Sequence, residues 1–344
     1  MTVYQEPIEE TLDMSVTRPS NESALAAPFT GPMAWRAEDI AKTKWKYALD
    51  TACLAEIDDL VASLRRNALP TILLTPDDFE MPRCREAMRA VREGLIDGSG
   101  IALVDRLPME RLTKDEAKTV YWVLSSMISR PVAQKVDGTM IYDIQDTGAK
   151  AVAGSGVRPD KTNIDLTFHN DNSYNNPMPD FVGLLCLQPA KQGGVSRLMS
   201  FETTYNALLE RHRDALARLY EPFLFDRQKE HHPDEAGTIS EPIFVESDGV
   251  KARLGLHQVR NGYEMSGESM DAETARALAA LEEIFADNAL QIHFAMEAGQ
   301  FQYVNNLAIG HSRTEFTDFD RPEDRRHLVR LWMRDKGRRT YFGQ

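Results

Sequence analysis

The feature that most constrains the fold of this chain is the length of its apolar runs. From residue 98 onward most are strand-sized and bounded by Gly, Pro, Asp or Asn. Gly98–Val104 predicts a turn entering a short strand. Thr139–Ile144, Leu166–Asp171 and Phe181–Leu187 predict strands, and the signal resumes at Leu290–Met296, Phe301–Asn305 and His327–Met333. Helical spacing marks other segments. Leu54, Ile57, Leu60, Val61 and Leu64 give one buried face over Asp50–Asn67, and Thr113-Lys114-Asp115-Glu116 forms a capping box ahead of Val120, Val123, Leu124 and Met127. Two more helices are expected over Ser200–Tyr220 and Asp271–Asn288. Helices first, then short strands split by helical insertions, predict an α+β fold: a double-stranded β-helix (jelly-roll) barrel braced by helices. No repeat of 20–50 residues competes with this.

One polar triplet stands out within that frame. Residues i and i+2 of a strand point to the same side, so His169 and Asp171 can address one point while Asn170 faces away. A His-x-Asp pair plus one distant histidine, here His311 behind Gly310, is the minimal set that holds Fe(II) on one side and leaves other positions open. The same three side chains also suit Zn(II) in a hydrolase. Downstream, Arg325-Arg326-His327-Leu328-Val329-Arg330 adds cationic charge. By alternation Arg326, Leu328, Arg330, Trp332 and Arg334 share one face of a strand. Guanidinium groups beside Leu and Trp are costly unless each meets an anion or water, so the face is either an anion site or a solvent edge. For a carboxylate, the planar fork of arginine is the natural partner. His231-His232-Pro233-Asp234-Glu235 carries ligand types without a third partner, and no P-loop, dinucleotide fingerprint or Gly-x-Ser-x-Gly motif is present.

Composition excludes some partners. Forty basic against fifty-three acidic residues leave a net charge of −13, which repels phosphate backbones and anionic membranes, so neither nucleic acid nor membrane is an expected partner. Charge is uneven: residues 311–344 carry nine Lys/Arg against six Asp/Glu, and residues 1–30 carry one against five. The basic end fits a small anionic ligand. Cys53, Cys84 and Cys186 form no paired framework, which suits reduced thiols in the cytoplasm, and no secretory or membrane-spanning run is evident. Residues 1–30, acidic and punctuated by Pro7, Pro19 and Pro28, are expected to form a loosely ordered arm that could wrap over a neighbouring copy in a homo-oligomer. Residues 31–344 are expected to form a single domain with helical insertions.

The set His169-x-Asp171, His311 and Arg-Arg-His-Leu-Val-Arg at 325–330 resembles the TauD/TfdA group of Fe(II)/2-oxoglutarate-dependent dioxygenases. The segment Leu184–Ser196, ending Gly193-Gly194-Val195-Ser196, resembles that group too, and the resemblance spans about residues 95–335. It implies iron ligation by His169, Asp171 and His311, with Arg326 and the Ser196 hydroxyl on the distal carboxylate of 2-oxoglutarate. It further implies that Arg330 meets a substrate anion and that Asn306 orients the loop. Fe(II), 2-oxoglutarate and O2 would then hydroxylate an unactivated C–H bond of a small polar molecule, releasing succinate and CO2. Asn172, opening an amide-rich turn to Pro177, is expected to contact that substrate. Two other readings stay open: a metal-dependent hydrolase, and a non-catalytic barrel that binds small anions.

Overall fold

The computed structural model describes residues 27–148 and 159–342. Of the expected N-terminal arm, residues 1–26 lie outside this description. Near its end, Phe29 shares two hydrogen bonds between its backbone and the Asn206 side chain and packs edge-on against Tyr205.

Four layers stack in the order helices, sheet, sheet, helices. The first helical layer contains α1 (Thr51–Arg66), α2 (Pro82–Ile96) and α3 (Lys114–Ser126). Asp50 caps α1 by accepting from the Cys53 N–H, and Thr113 and Glu116 form the expected capping box on α3. Helix α2 was not expected, although Cys84, Met88, Val91 and Leu95 repeat at helical spacing and are its buried residues. The second helical layer contains α4 (Phe201–Arg211), α5 (Arg213–Arg218), α6 (Leu256–Ser266) and α7 (Ala272–Phe285). The single helix expected over Ser200–Tyr220 is therefore two. His212 leaves the helical region at φ −143°, ψ 53°, and serves as the C-cap of α4 and the N-cap of α5. No helix is long and apolar enough to cross a membrane among the described residues.

Between the helical layers lie two sheets. The larger runs in the order Lys46–Tyr47, Ile101–Val104, Phe301–Asn305, Phe181–Gln188, His327–Arg334 and Arg130–Val132, with Tyr142–Ile144 also paired to His327–Arg334. The smaller runs Ile292–Phe294, Ser196–Ser200, Ile309–Arg313 and Leu166–His169. Within both, every pairing is antiparallel except the first. This is the mixed α+β jelly-roll arrangement, but among the described residues the ladders form two facing sheets and do not close into a barrel.

Strand alternation decides what each face meets. Phe181, Leu185 and Leu187 join Val329, Leu331 and Met333 against α1–α3, while Val182 and Trp332 turn inward to meet Leu198, Ile292 and Ile309. The His327–Arg334 strand is interior, paired on both edges and buried at every residue. It is not a solvent edge.

Close packing on the helix side leaves no room at Gly183. A Cβ there would collide with the Tyr121 hydroxyl and come within 2.8 Å of the Tyr303 ring, whose hydroxyl bonds Ser125 at 2.8 Å. Gly183→Ala is expected to lower stability by about 1–3 kcal/mol through overpacking, read as a reduced urea midpoint at unchanged slope.

Candidate metal centre

Two strands and one turn build the site. His311 and His169 are direct cross-strand partners in the smaller sheet, which sets their rings side by side with centroids 4.5 Å apart. Asp171 is not on the strand. The ladder ends at His169, so simple i, i+2 alternation does not place the carboxylate. Asparagines place it. Asn306 accepts from the Asp171 N–H at 2.9 Å and donates to the Asp171 and Pro179 carbonyls at 3.0 and 3.1 Å. Asn170 faces away from the cluster, as expected, and joins neighbouring segments: it donates to the Ala252 and Asn306 carbonyls and accepts from the Leu254 N–H.

The result is a cluster in which one ligand atom from each of His169, Asp171 and His311 lies within 4.8 Å of the others. It is the only such group of three or more His, Cys, Asp or Glu residues among the described residues. Both histidine Nε2 atoms stand 4.0 Å from Asp171 Oδ1. Two bonds of about 2.1 Å at a right angle put neighbouring ligand atoms about 3 Å apart, so small side-chain rotations suffice to seat an ion.

Protonation suits a cation. Burial opposes charge on Asp171, yet Arg330, then His311 and His169, hold its pKa down at about 2. Burial drives His311 down to about 3, with His169 and Arg330 adding to it against Asp171, so this imidazole is neutral and free to ligate. His169 Nδ1 lies 2.8 Å from the Thr167 carbonyl, an arrangement that makes Nδ1 the donor and leaves Nε2 bare toward the cluster.

Asp171 is gripped on its far side as well. Trp332 Nε1 donates to Oδ2 at 2.8 Å and Arg330 Nη1 to Oδ1 at 3.1 Å. Gln134, a turn residue with no sequence signal, accepts from Arg330 Nε at 2.8 Å and donates to the Arg330 carbonyl at 2.7 Å. Trp332 was legible only as the next inward residue after Arg330.

Arg326 precedes the His327–Arg334 strand, just before a register shift at His327/Leu328, and is buried. Its backbone N–H donates to Asp318, and its guanidinium stacks 5.0 Å from the Phe316 ring centre. Arg313, two residues beyond His311 and not singled out from sequence, lies 4.6 Å from the same ring. Burial lowers both guanidinium pKa values to about 10, and each of Arg313's two hydrogen-bonding nitrogens reaches only backbone carbonyls of Thr162, Asn163 and Thr314. No hydrogen bond links the Arg326 guanidinium to a described residue. Gly194, at φ +67°, lies against it: a Cβ there would stand 3.2 Å from Arg326 Nε. Ser196 is buried and pairs across the ladder with Arg313.

Asn172, expected to touch substrate, is instead buried at φ +57° with its amide among protein groups. It donates to the Pro177 carbonyl at 3.2 Å and accepts from the Tyr341 hydroxyl at 3.1 Å. Tyr341 stacks on Trp332 with ring centres 6.3 Å apart. The turn thus anchors the C-terminal segment over the carboxylate clamp.

Trp332→Phe keeps a ring in place and removes only the donor to Asp171. Fe(II) binding is expected to weaken about 10- to 100-fold, measured by anaerobic titration, with thermal unfolding as the control. Unchanged affinity would show that the indole does not orient the carboxylate.

Known proteins of the same build carry related chemistry. FR-33289 synthase of Streptomyces rubellomurinus is 28% identical over 322 residues, covering 92% of this chain and 93% of that protein. Taurine hydroxylase-like protein SAT17 of Stachybotrys chartarum is 26% identical over 324 residues, covering 90% and 81%. Among solved structures, asparagine oxygenase with Fe(II), 3-hydroxyasparagine and succinate superposes with a TM-score of 0.61 at 21% identity, covering 84% of this chain and 93% of that one. The non-haem iron oxygenase OrfP with Fe and alpha-ketoglutaric acid superposes at 0.63 and 16%, covering 86% and 95%. These two establish the fold. Residues 71–332 match the family described as taurine catabolism dioxygenase TauD, TfdA family, and the chain belongs to it.

Proposed function

We propose that the protein hydroxylates an unactivated C–H bond of a small polar substrate, with His169, Asp171 and His311 holding Fe(II). The enzyme is a 2-oxoglutarate-dependent non-haem iron dioxygenase of the TauD/TfdA family. The observation that carries the site assignment is the cluster of two imidazoles and one carboxylate, in which Asp171 is held ionised and His311 neutral. Bound iron with 2-oxoglutarate supplies the oxidising power, and succinate and CO2 are the co-products. The chain's own residues do the positioning.

Arg326 is assigned the distal carboxylate of 2-oxoglutarate. In support, its guanidinium is buried beside a second one, Arg313, around the Phe316 ring, an arrangement that is costly until an anion arrives. Ser196 is assigned a supporting hydroxyl. Arg330 is assigned the substrate's anionic group, and Asn172 the anchoring of the turn. A hydrolase or a silent anion-binding barrel is not favoured by membership of a dioxygenase family. Cytoplasmic work as a homo-oligomer, apart from nucleic acid and membranes, is our reading of the net charge of −13 and three free buried cysteines. Residues 31–344 are read as one domain, because strands from 46 to 334 share one sheet.

Two variants test the assignments. Asp171→Ala is expected to abolish both Fe(II) binding and succinate release while the protein stays folded by circular dichroism. Removing one partner of a buried charge pair costs about 2–5 kcal/mol, so Arg326→Ala should weaken 2-oxoglutarate binding about 30- to 4,000-fold, with partial recovery in Arg326→Lys. The readout is the charge-transfer absorbance of the anaerobic Fe(II) enzyme. Wild-type affinity in Arg326→Ala would remove that residue from the co-substrate seat.

A further inference from the structure

The C-terminal segment doubles back over the strand that carries the carboxylate clamp. Beyond Arg334 the chain turns at Gly337, φ +73°, and returns under two ties. Arg334 Nη2 donates to the Thr340 carbonyl at 2.6 Å, and the Ala133 N–H donates to the Arg339 carbonyl at 2.8 Å. This path lays the Tyr341 ring on the Trp332 indole, with the two planes 28° apart. The indole N–H is the donor that reaches Asp171 Oδ2. Whatever holds Tyr341 therefore bears on a metal ligand at one remove.

What holds Tyr341 is polar and distant in the chain. Its hydroxyl donates to Glu230 Oε2 at 2.7 Å, with Asn172 Oδ1 sharing the proton at 3.1 Å, and accepts from Asn175 Nδ2 at 3.0 Å. The Tyr174 hydroxyl donates to the same Glu230 oxygen at 3.2 Å. Glu230 lies on the loop between the strands Pro222–Asp226 and Thr238–Pro242. Just before it, Gln228 and Lys229 sit at φ +53° and +60°, a left-handed backbone that successive non-glycine residues keep only when their surroundings enforce it. Asn175 supplies part of that hold, accepting from Arg227 Nε at 2.7 Å and donating to the Glu230 carbonyl at 2.8 Å. The Asp226 carboxylate takes the Gln228 N–H at 2.7 Å. A strained loop is thus pinned where its carboxylate meets two tyrosines.

A ring that only filled space would not need this hydroxyl. Phenylalanine would occupy the same volume without drawing a phenol out of water. Burial, then Tyr174 and Glu230, push the Tyr341 pKa up, so the phenol stays a donor. A hydrogen bond at the tip is directional, and it limits how far the ring, and the indole beneath it, can tilt.

We propose that Tyr341 is a positioning residue for the metal centre and that Glu230 sets it, the phenol holding the Trp332 indole in the plane from which its N–H reaches Asp171. The proposal rests on the reading of Asp171 as a metal ligand.

The test is a double-mutant cycle on Fe(II) affinity, measured by anaerobic calorimetric titration of the full chain without 2-oxoglutarate. Tyr341→Phe and Glu230→Ala are each expected to weaken Fe(II) binding about three- to tenfold, less than loss of the direct donor in Trp332→Phe. Glu230→Gln, whose amide oxygen still accepts, should keep most of the affinity. In the Trp332→Phe background neither Tyr341→Phe nor Glu230→Ala should add a further loss, because the indole that transmits the effect is gone. The visible spectrum of the Co(II)-substituted protein gives a second readout: Tyr341→Phe should shift its bands in the same direction as Trp332→Phe. A residue that merely closed the core would lower the urea midpoint and leave that spectrum alone. Wild-type Fe(II) affinity in Tyr341→Phe, losses that add in the Trp332→Phe background, or a Co(II) spectrum unchanged by Tyr341→Phe would each overturn the proposal. Wild-type protein that binds Fe(II) but releases no succinate counts against the dioxygenase reading alone, since the cycle needs only the metal.

Discussion

The buried Asp171 carboxylate is where the rest of the structure converges. A charge in this position is tolerable only because each side of it is engaged: the Trp332 indole and the Arg330 guanidinium on the carboxylate, the Asn306 amide on the backbone, and two imidazoles 4.0 Å from Oδ1. These partners come from both sheets and from the turn between them. The approach of the two sheets and the geometry of the metal centre are therefore one constraint, and the packing that joins Trp332 and Val182 to Leu198 and Ile309 also sets the distance from Trp332 to Asp171.

One stretch of chain carries both of the arginines singled out from the sequence. Arg326, just before the His327–Arg334 strand, and Arg330, in its middle, are four residues apart, and each sits over a different ring. Around Phe316, Arg326 is joined by Arg313. Around Tyr142, Arg330 is joined by Lys135 and Lys161. Aromatic faces add cation–π attraction to the hydrogen bonds these cations already make. The opposite face of the strand, Val329, Leu331 and Met333, is fully apolar and packs against α1–α3. A rigid, buried strand is a better mount for Arg330 than a loop.

Much of this was legible in the residues. The convergence of His169, Asp171 and His311 was legible from residue types and spacing, the part of Asn306 only from the family resemblance, and the capping box of α3 and the alternation of the 327–334 strand are local patterns. The misses have physical causes. Asp171 looked like a strand residue because alternation is a local rule, whereas its actual placement depends on Asn306, 135 residues away. The break at His212 was hidden because the apolar pattern runs on through it from α4 into α5. Asn172 carries an amide that suits a substrate equally well, and only the approach of Tyr341 showed where that amide goes.

By itself, the sequence determined the class of fold and the supply of metal-ligating and cationic side chains, because these depend on residue type, period and spacing along the chain. Tertiary structure alone decided that Trp332 and Gln134 orient the Asp171–Arg330 pair, that Arg313 shares a ring with Arg326, and that Lys135 and Lys161 meet Arg330 at Tyr142. Each of these contacts joins segments brought together only when the sheets pack. No local pattern encodes them, because their energy comes from burial and from neighbours that are distant in the chain.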